Sequence, residues 1–291
     1  MSWRVVVISN RSKLDYKMDY LVVRNENTSN RIHLSEISVL ILESTAISIT
    51  AYLMCELIKR KINIVLCDEK RLPLASVTSL YGSHDTSLKY RTQIGWDAET
   101  KKFIWTEIVR AKIQGQYIVL DKFNKEERYL LEQDLAQLEP GDATNREGHA
   151  AKVYFNALFG NEFSRSLDNN INAALNYGYS IFLSTVAREI VACGYCTQIG
   201  LFHDNMFNQY NLASDLMEPF RPFVDIAAIN LDLSFFEHEE KMEFVKLLNK
   251  EVKIDGKTHF MTNAVRIYVK SVFDAICERN ISVIKFPEYE L

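Results

Sequence analysis

No stretch of the 291 residues approaches the roughly 20 consecutive apolar residues that cross a bilayer. The apolar run near the start, Val5-Val6-Val7-Ile8, is too short and too soon interrupted for a secretory signal, so the expected address is the cytoplasm. Cysteine is scarce and odd in number: Cys55, Cys67, Cys193, Cys196 and Cys277 do not form the pattern of a secreted disulfide framework. Cys193 and Cys196 make one CxxC with His203 downstream. No second CxxC completes a closed four-ligand zinc site, and the pair reads as small buried side chains. Gly-rich phosphate loops, internal repeats, low-complexity tracts and heptads are also missing, which removes nucleotide-binding motifs, solenoids and coiled coils. The net charge of -4 argues against an indiscriminately basic nucleic-acid binder, while leaving open a local basic face.

What remains has the composition of an ordinary globular protein, 47% apolar and 25% charged, long enough for two domains. The first third carries short β-branched runs, Val5-Val6-Val7-Ile8, Tyr20-Leu21-Val22-Val23, Ser38-Val39-Leu40-Ile41-Leu42 and Ile62-Asn63-Ile64-Val65-Leu66-Cys67, with alternation at Arg31-Ile32-His33-Leu34. A helix is expected between Thr45 and Lys61, from Ile49, Leu53, Leu57 and Ile58. Arg71-Leu72-Pro73 and Tyr81-Gly82-Ser83-His84-Asp85 place a linker near 73–85. Beyond it, helices are expected at 87–116, 121–137, 145–160, 172–194, 240–250 and 262–279, with a hairpin turning at Asp255-Gly256. The fold class is therefore α+β: a small β-rich N-terminal domain, residues 1–75, followed by a larger α-helical domain, residues 76–291.

Three dispersed residues in polar surroundings, Glu147, His203 and Glu218, have the chemistry of a metal site. Two carboxylates and an imidazole suit a hard or borderline divalent cation that keeps positions open for water and phosphate oxygens. Each has a plainer explanation. Thr144-x-x-Glu147 matches a capping box. A histidine after Gly200 can cap carbonyls, and Asp215 and Glu218, with Pro219 and Pro222 close behind, fit the first turn of a helix, where acids complement the dipole. Spacing alone does not separate these readings.

The stretches Asn145-Arg146-Glu147-Gly148-His149-Ala150-Ala151, Tyr154-Phe155-Asn156, Leu158-Phe159-Gly160-Asn161, Asn176-Tyr177-Gly178-Tyr179 and Met217-Glu218-Pro219-Phe220-Arg221-Pro222 closely resemble the universal CRISPR-associated integrase family. His33-Leu34-Ser35-Glu36, Cys67-Asp68 and Lys70-Arg71-Leu72-Pro73 are most similar to its type II-A subgroup, and the likeness spans essentially the whole chain. The resemblance implies a β-rich domain ahead of a helical catalytic one. It implies Glu147, His203 and Glu218 as both catalytic and metal-binding residues, with Mg²⁺ or Mn²⁺ as the cofactor and Asp215 as an auxiliary acid. Glu218 stands where other branches have Asp.

The implied reaction is transesterification, in which a 3′-hydroxyl of a prespacer duplex attacks a phosphodiester at the border of a CRISPR repeat. The implied partners are prespacer and repeat DNA, a second copy of the chain, and the small second adaptation protein that bridges two dimers. The ring-forming DNA-end protein and the RNA-guided effector nuclease of type II-A systems join them. Arg146, Arg188 and Arg221 are candidates for phosphate contacts or for holding the acids. Two other functions use the same residues: a metal-dependent nuclease of DNA repair, activating water in place of a 3′-hydroxyl, and an assembly protein without chemistry.

Overall fold

The computed structural model describes residues 4–26, 28–77, 79–80 and 83–289. Tyr81 and Gly82, from the segment expected to punctuate the linker, lie outside the described residues.

The β-rich region holds two sheets rather than one. In the first, β1 (Arg4–Ile8), β5 (Ile37–Leu42), β7 (Asn63–Cys67) and β8 (Pro73–Val77) lie in that order, parallel across the first three strands and antiparallel at the last. The second runs β4 (Ser29–His33), β3 (Tyr20–Arg24), β2 (Ser12–Lys17), β6 (Ile47–Ile49). Helix α1 (Ala51–Lys59) starts later than expected: Ile47 and Ile49 belong to a strand, and the Thr50 hydroxyl caps the helix by accepting from Leu53 N at 3.3 Å. Likewise β8 occupies the first part of the expected linker and runs past residue 75.

Strand β5, Ile-Ser-Val-Leu-Ile-Leu, is buried along its whole length. A central strand of a parallel sheet covered on both faces calls for such a continuous apolar run. Leu40 and Leu42 point into a core shared with Leu14, Leu21, Leu53 and Leu57. Val39, Ile41, Val65 and Cys67 point the other way, into the main helical core. The two regions therefore pack on one another through the first sheet, and Asn63 Nδ2 donates to Ser184 Oγ at 3.3 Å across the join.

The helical region comprises α2 (Thr86–Ile94), α3 (Ala98–Lys122), α4 (Arg128–Ala136), α5 (Arg146–Phe159), α6 (Asn170–Ala192), α7 (Asn211–Met217), α8 (Arg221–Ile229), α9 (His238–Leu247) and α10 (Met261–Glu278). The single helix expected at 87–116 is two, broken at Gly95-Trp96 and restarted by Asp97, whose carboxylate accepts from Thr100 N at 2.9 Å. Helices α7 and α8 lie outside the expected helical stretches. The hairpin β9 (Glu251–Ile254) and β10 (Lys257–Phe260) turns at Asp255-Gly256 with positive φ at both, as its sequence predicts. Strand β11 (Pro287–Glu288) pairs with β9 and brings Tyr289 over α3 and α8, where its hydroxyl donates to Pro219 O at 2.6 Å. Gly115 permits this crossing, since a Cβ there would lie 2.7 Å from both Pro222 and Tyr289. Among the described residues no helix is long and apolar enough to cross a membrane.

Candidate active site

Helix α3 forms the floor of the site. Ile104, Ile108, Lys112 and Gln116 follow at four-residue intervals along its buried side, so a lysine and a glutamine continue a stripe begun by two isoleucines.

Glu147 lies in the first turn of α5, but the capping box expected for it does not form. The N-cap is Asn145, in a left-handed conformation with no side-chain capping bond. Asp142 does the capping instead, its two carboxylate oxygens accepting from Arg146 N at 2.6 Å and Glu147 N at 3.2 Å. The Glu147 side chain is thereby released from backbone duty and meets the Lys112 ammonium.

Glu218 opens the 3₁₀ turn Glu218–Phe220 between α7 and α8. Pro219 and Pro222 each fall in the first two positions of their helical turns, where a missing N–H costs nothing. Asp215, expected in that first turn too, sits instead in the body of α7. Glu218 is 2% exposed; its Oε2 lies 2.5 Å from Lys112 Nζ and its Oε1 accepts from Arg221 Nε at 2.8 Å. Burial alone would raise the Glu218 pKa, but Arg221 and Lys112 outweigh it and bring it down to about 2. Lys112 is held above its ordinary value because Glu218 and Glu147 outweigh its burial.

His203 lies in the loop after α6, not on a helix. Asp215, fully buried, organises that loop, accepting from Leu201 N at 2.6 Å and from Phe202 N and His203 N at 3.1 Å. The same carboxylate meets His203 Nδ1 at 2.6 Å. Gly200 is required here because a Cβ would stand 2.7 Å from Asp215 Oδ2. Trp105 on α3 fixes the loop from below, stacking on Phe202 with centroids 4.6 Å apart and meeting the His203 ring edge-on at 5.8 Å. The hydrogen bond to Asp215 raises the His203 pKa against the opposing effect of burial, and the charges of Glu218 and Glu147 add to the rise. With Nδ1 engaged by Asp215, Nε2 is the nitrogen left to ligate or to carry a proton.

The fold thus brings Glu147 and Glu218 together on one nitrogen, with His203 close enough to feel both charges. Among the described residues no three His, Cys, Asp or Glu side chains stand as a ready metal cluster, and the Lys112 ammonium contacts both carboxylates. The donor set fits a divalent cation all the same: two carboxylates already share one positive group, and both are oxygen donors of the kind a hard cation takes. Of the three arginines, only Arg221 is at the site. Arg146 turns to Asp134 at 3.4 Å, and Arg188 donates to Lys61 O at 2.9 Å at the join between regions. Cys193 and Cys196 are free thiols. The residues missed from sequence are Lys112 and Asp142; a lysine continuing a buried stripe was the available signal for the first.

Comparison with known proteins assigns the chain to a family. The family model for CRISPR associated protein Cas1 matches residues 5–234, and the chain belongs to that family. It is 34% identical over 296 residues to the CRISPR-associated endonuclease Cas1 of Neisseria meningitidis serogroup C (strain 8013), covering 99% of this chain and 97% of that protein. Its fold is shared with a casposase bound to integration product, at a TM-score of 0.77 and 20% identity over 96% of this chain and 92% of that one. It is shared too with a Cas6-RT-Cas1--Cas2 complex, at a TM-score of 0.75 and 19% identity over 99% of this chain and 36% of that one.

Proposed function

We propose that this chain is the metal-dependent DNA integrase of CRISPR adaptation, joining prespacer 3′-hydroxyl ends to the CRISPR repeat by transesterification. The observation that carries the reading is the meeting of Glu147 and Glu218 around one positive charge, beside a histidine whose orientation is set by a buried aspartate. Membership of the Cas1 family, a relative named as an endonuclease and a fold neighbour named as bound to an integration product support it.

Glu147, Glu218 and His203 Nε2 are the groups that would hold Mg²⁺ or Mn²⁺. When bound, such an ion lowers the pKa of an attacking hydroxyl and neutralises charge growing on the phosphate. The chain's own residues supply the rest. Asp215 keeps the proton on His203 Nδ1 and the loop in register. Arg221 fixes the rotamer of Glu218 and lies over the Tyr179 ring, 4.5 Å from its centroid. Asp142 holds the start of α5 so that Glu147 is free to face the site.

The proposal extends to a homodimer, with two dimers bridged by a dimer of the small second adaptation protein. It draws on the fold neighbour named as a Cas6-RT-Cas1--Cas2 complex. The type II-A likeness adds the ring-forming DNA-end protein and the effector nuclease.

The test is product connectivity. Purified chain, its second adaptation protein, a labelled prespacer duplex and leader-repeat DNA should give a covalent prespacer–repeat product that disappears when the prespacer ends lack a 3′-hydroxyl. Cleaved repeat without joining, indifferent to that hydroxyl, would assign the site to hydrolysis instead.

A further inference from the structure

Lys112 is 8% exposed, and its ammonium is shared between Glu147 and Glu218. Arg221 takes the remaining oxygen of Glu218, so two cations already balance two carboxylates. A divalent cation cannot enter such a set without displacing a positive group, because like charges in a buried site repel strongly. Arg221 is pinned against the Tyr179 ring, whereas lysine carries its charge on a flexible four-carbon stem.

The structure also offers Lys112 somewhere to go. The lysine lines a cavity of about 180 Å³ together with Gln116, Phe155, Arg165, Tyr179, Arg221 and Asp225, whose carboxylate offsets the two guanidinium groups there. Gln116 is one turn further along α3. Gln116 Oε1 is buried and accepts no hydrogen bond, and the buried Asp225 carboxylate accepts from the Tyr179 hydroxyl and lies within reach of the Tyr154 hydroxyl. An ammonium has three donors and no acceptor, so the Gln116 oxygen is an open partner for it and the Asp225 carboxylate a charge to face.

We propose that Lys112 is an exchangeable counter-ion of the metal site. It holds Glu147 and Glu218 together in the metal-free protein and withdraws toward Gln116 Oε1 and the Asp225 carboxylate when a divalent cation takes the carboxylates. The inference rests on the metal-dependent reading above and adds a residue that sets metal affinity. It explains why the carboxylates meet without forming a ready cluster: the site stores its ligands on a lysine.

The test is calorimetric titration of the full chain with Mn²⁺, alongside melting in chelator and in Mn²⁺. Lys112→Met should bind Mn²⁺ about tenfold more tightly, because the competing charge is gone. It should melt lower than the parent in chelator and recover when Mn²⁺ is added. Gln116→Leu, which removes the destination, should bind Mn²⁺ more weakly while melting like the parent in chelator. An unchanged or weaker affinity in Lys112→Met, or a destabilisation that Mn²⁺ does not reverse, overturns the inference. If Lys112→Met fails to fold, an unchanged affinity in Gln116→Leu overturns it alone. A parent chain that takes up no Mn²⁺, or a Glu147→Gln variant that binds it normally, sinks the metal reading and this inference together. Parental binding lost in Glu147→Gln but unchanged in Lys112→Met sinks the inference only.

Discussion

The β-rich and helical regions share a core yet treat buried charge in opposite ways. In the first, Leu14, Leu21, Leu34, Leu40, Leu53, Leu57 and Ile64 form an aliphatic interior, and the two buried acids turn to partners nearer the surface, Glu56 to Lys59 and Arg60, Glu43 to Arg71 and His238. In the second, Lys112, Asp134, Asp142, Asp215, Glu218 and Asp225 are buried among aromatic and aliphatic side chains. Lys112, Glu147, Glu218 and Arg221 pair with one another around one point, and Asp215 with His203 beside them. Buried ion pairs stabilise a fold poorly, because desolvation consumes most of the Coulombic gain. Their concentration in one region marks where the molecule gives up stability for chemistry.

The strongest break of that contrast is Asp215→Ala. It strips a buried carboxylate from three backbone N–H groups and from His203 at once, so denaturant unfolding should show a loss of at least ~4 kcal/mol. Joining per folded molecule should fall with it. Leu40→Ala, in the aliphatic core of the other region, should cost ~3 kcal/mol by cavity formation yet leave joining per folded molecule at the parental rate. A Leu40 variant with impaired chemistry would show that the two regions are not separable in function.

Acid sharpens the same comparison. The Glu218 pKa is depressed in the folded protein from its ordinary 4.5 to about 2. A depressed carboxylate contributes stability that is complete above the unfolded value and is lost as pH falls through the folded one. Metal-free protein should therefore weaken between pH 4.5 and about 2, and Glu218→Gln should flatten that part of the profile. A parental slope in the variant would place the titration elsewhere. The smallest effect belongs to the surface of the β-rich region: Thr50→Ala should cost ~1 kcal/mol through loss of the α1 cap, with no change in metal affinity.

Legibility followed the same division. Strands β1, β3, β5 and β7 were readable because β-branched runs have few alternative fates. Strand β2, Ser-Lys-Leu-Asp-Tyr-Lys, was not, since only Leu14 and Tyr16 alternate with polar neighbours and the strand takes its place from pairing with β3 and β6. The break between α2 and α3 carries its own signal in Gly95 and the Asp97 cap, but periodicity on both sides conceals it. Helix α8 is obscured by Pro222 at its start, and α7 is only seven residues long and runs straight into the turn that carries Pro219. Glu147, His203 and Glu218 stood out by chemical type and by family likeness. The geometry joining them was not legible, because it is set by Lys112 from a helix that sequence marks only as buried. The part of Asp142 was hidden behind Thr144, which makes the better motif and turns out to accept from the Arg146 side chain at 3.3 Å instead.

The claim that Glu147, His203 and Glu218 act as one metal-holding set is tested most directly by measuring strand joining and prespacer binding on the same preparations of Glu147→Ala, His203→Ala and Glu218→Ala, with Mn²⁺ and with chelator. The account predicts that each folded variant binds prespacer, that none joins it to the repeat, and that chelator reduces the parent to the same state. A variant folded like the parent that still joins prespacer to repeat at the parental rate would contradict it.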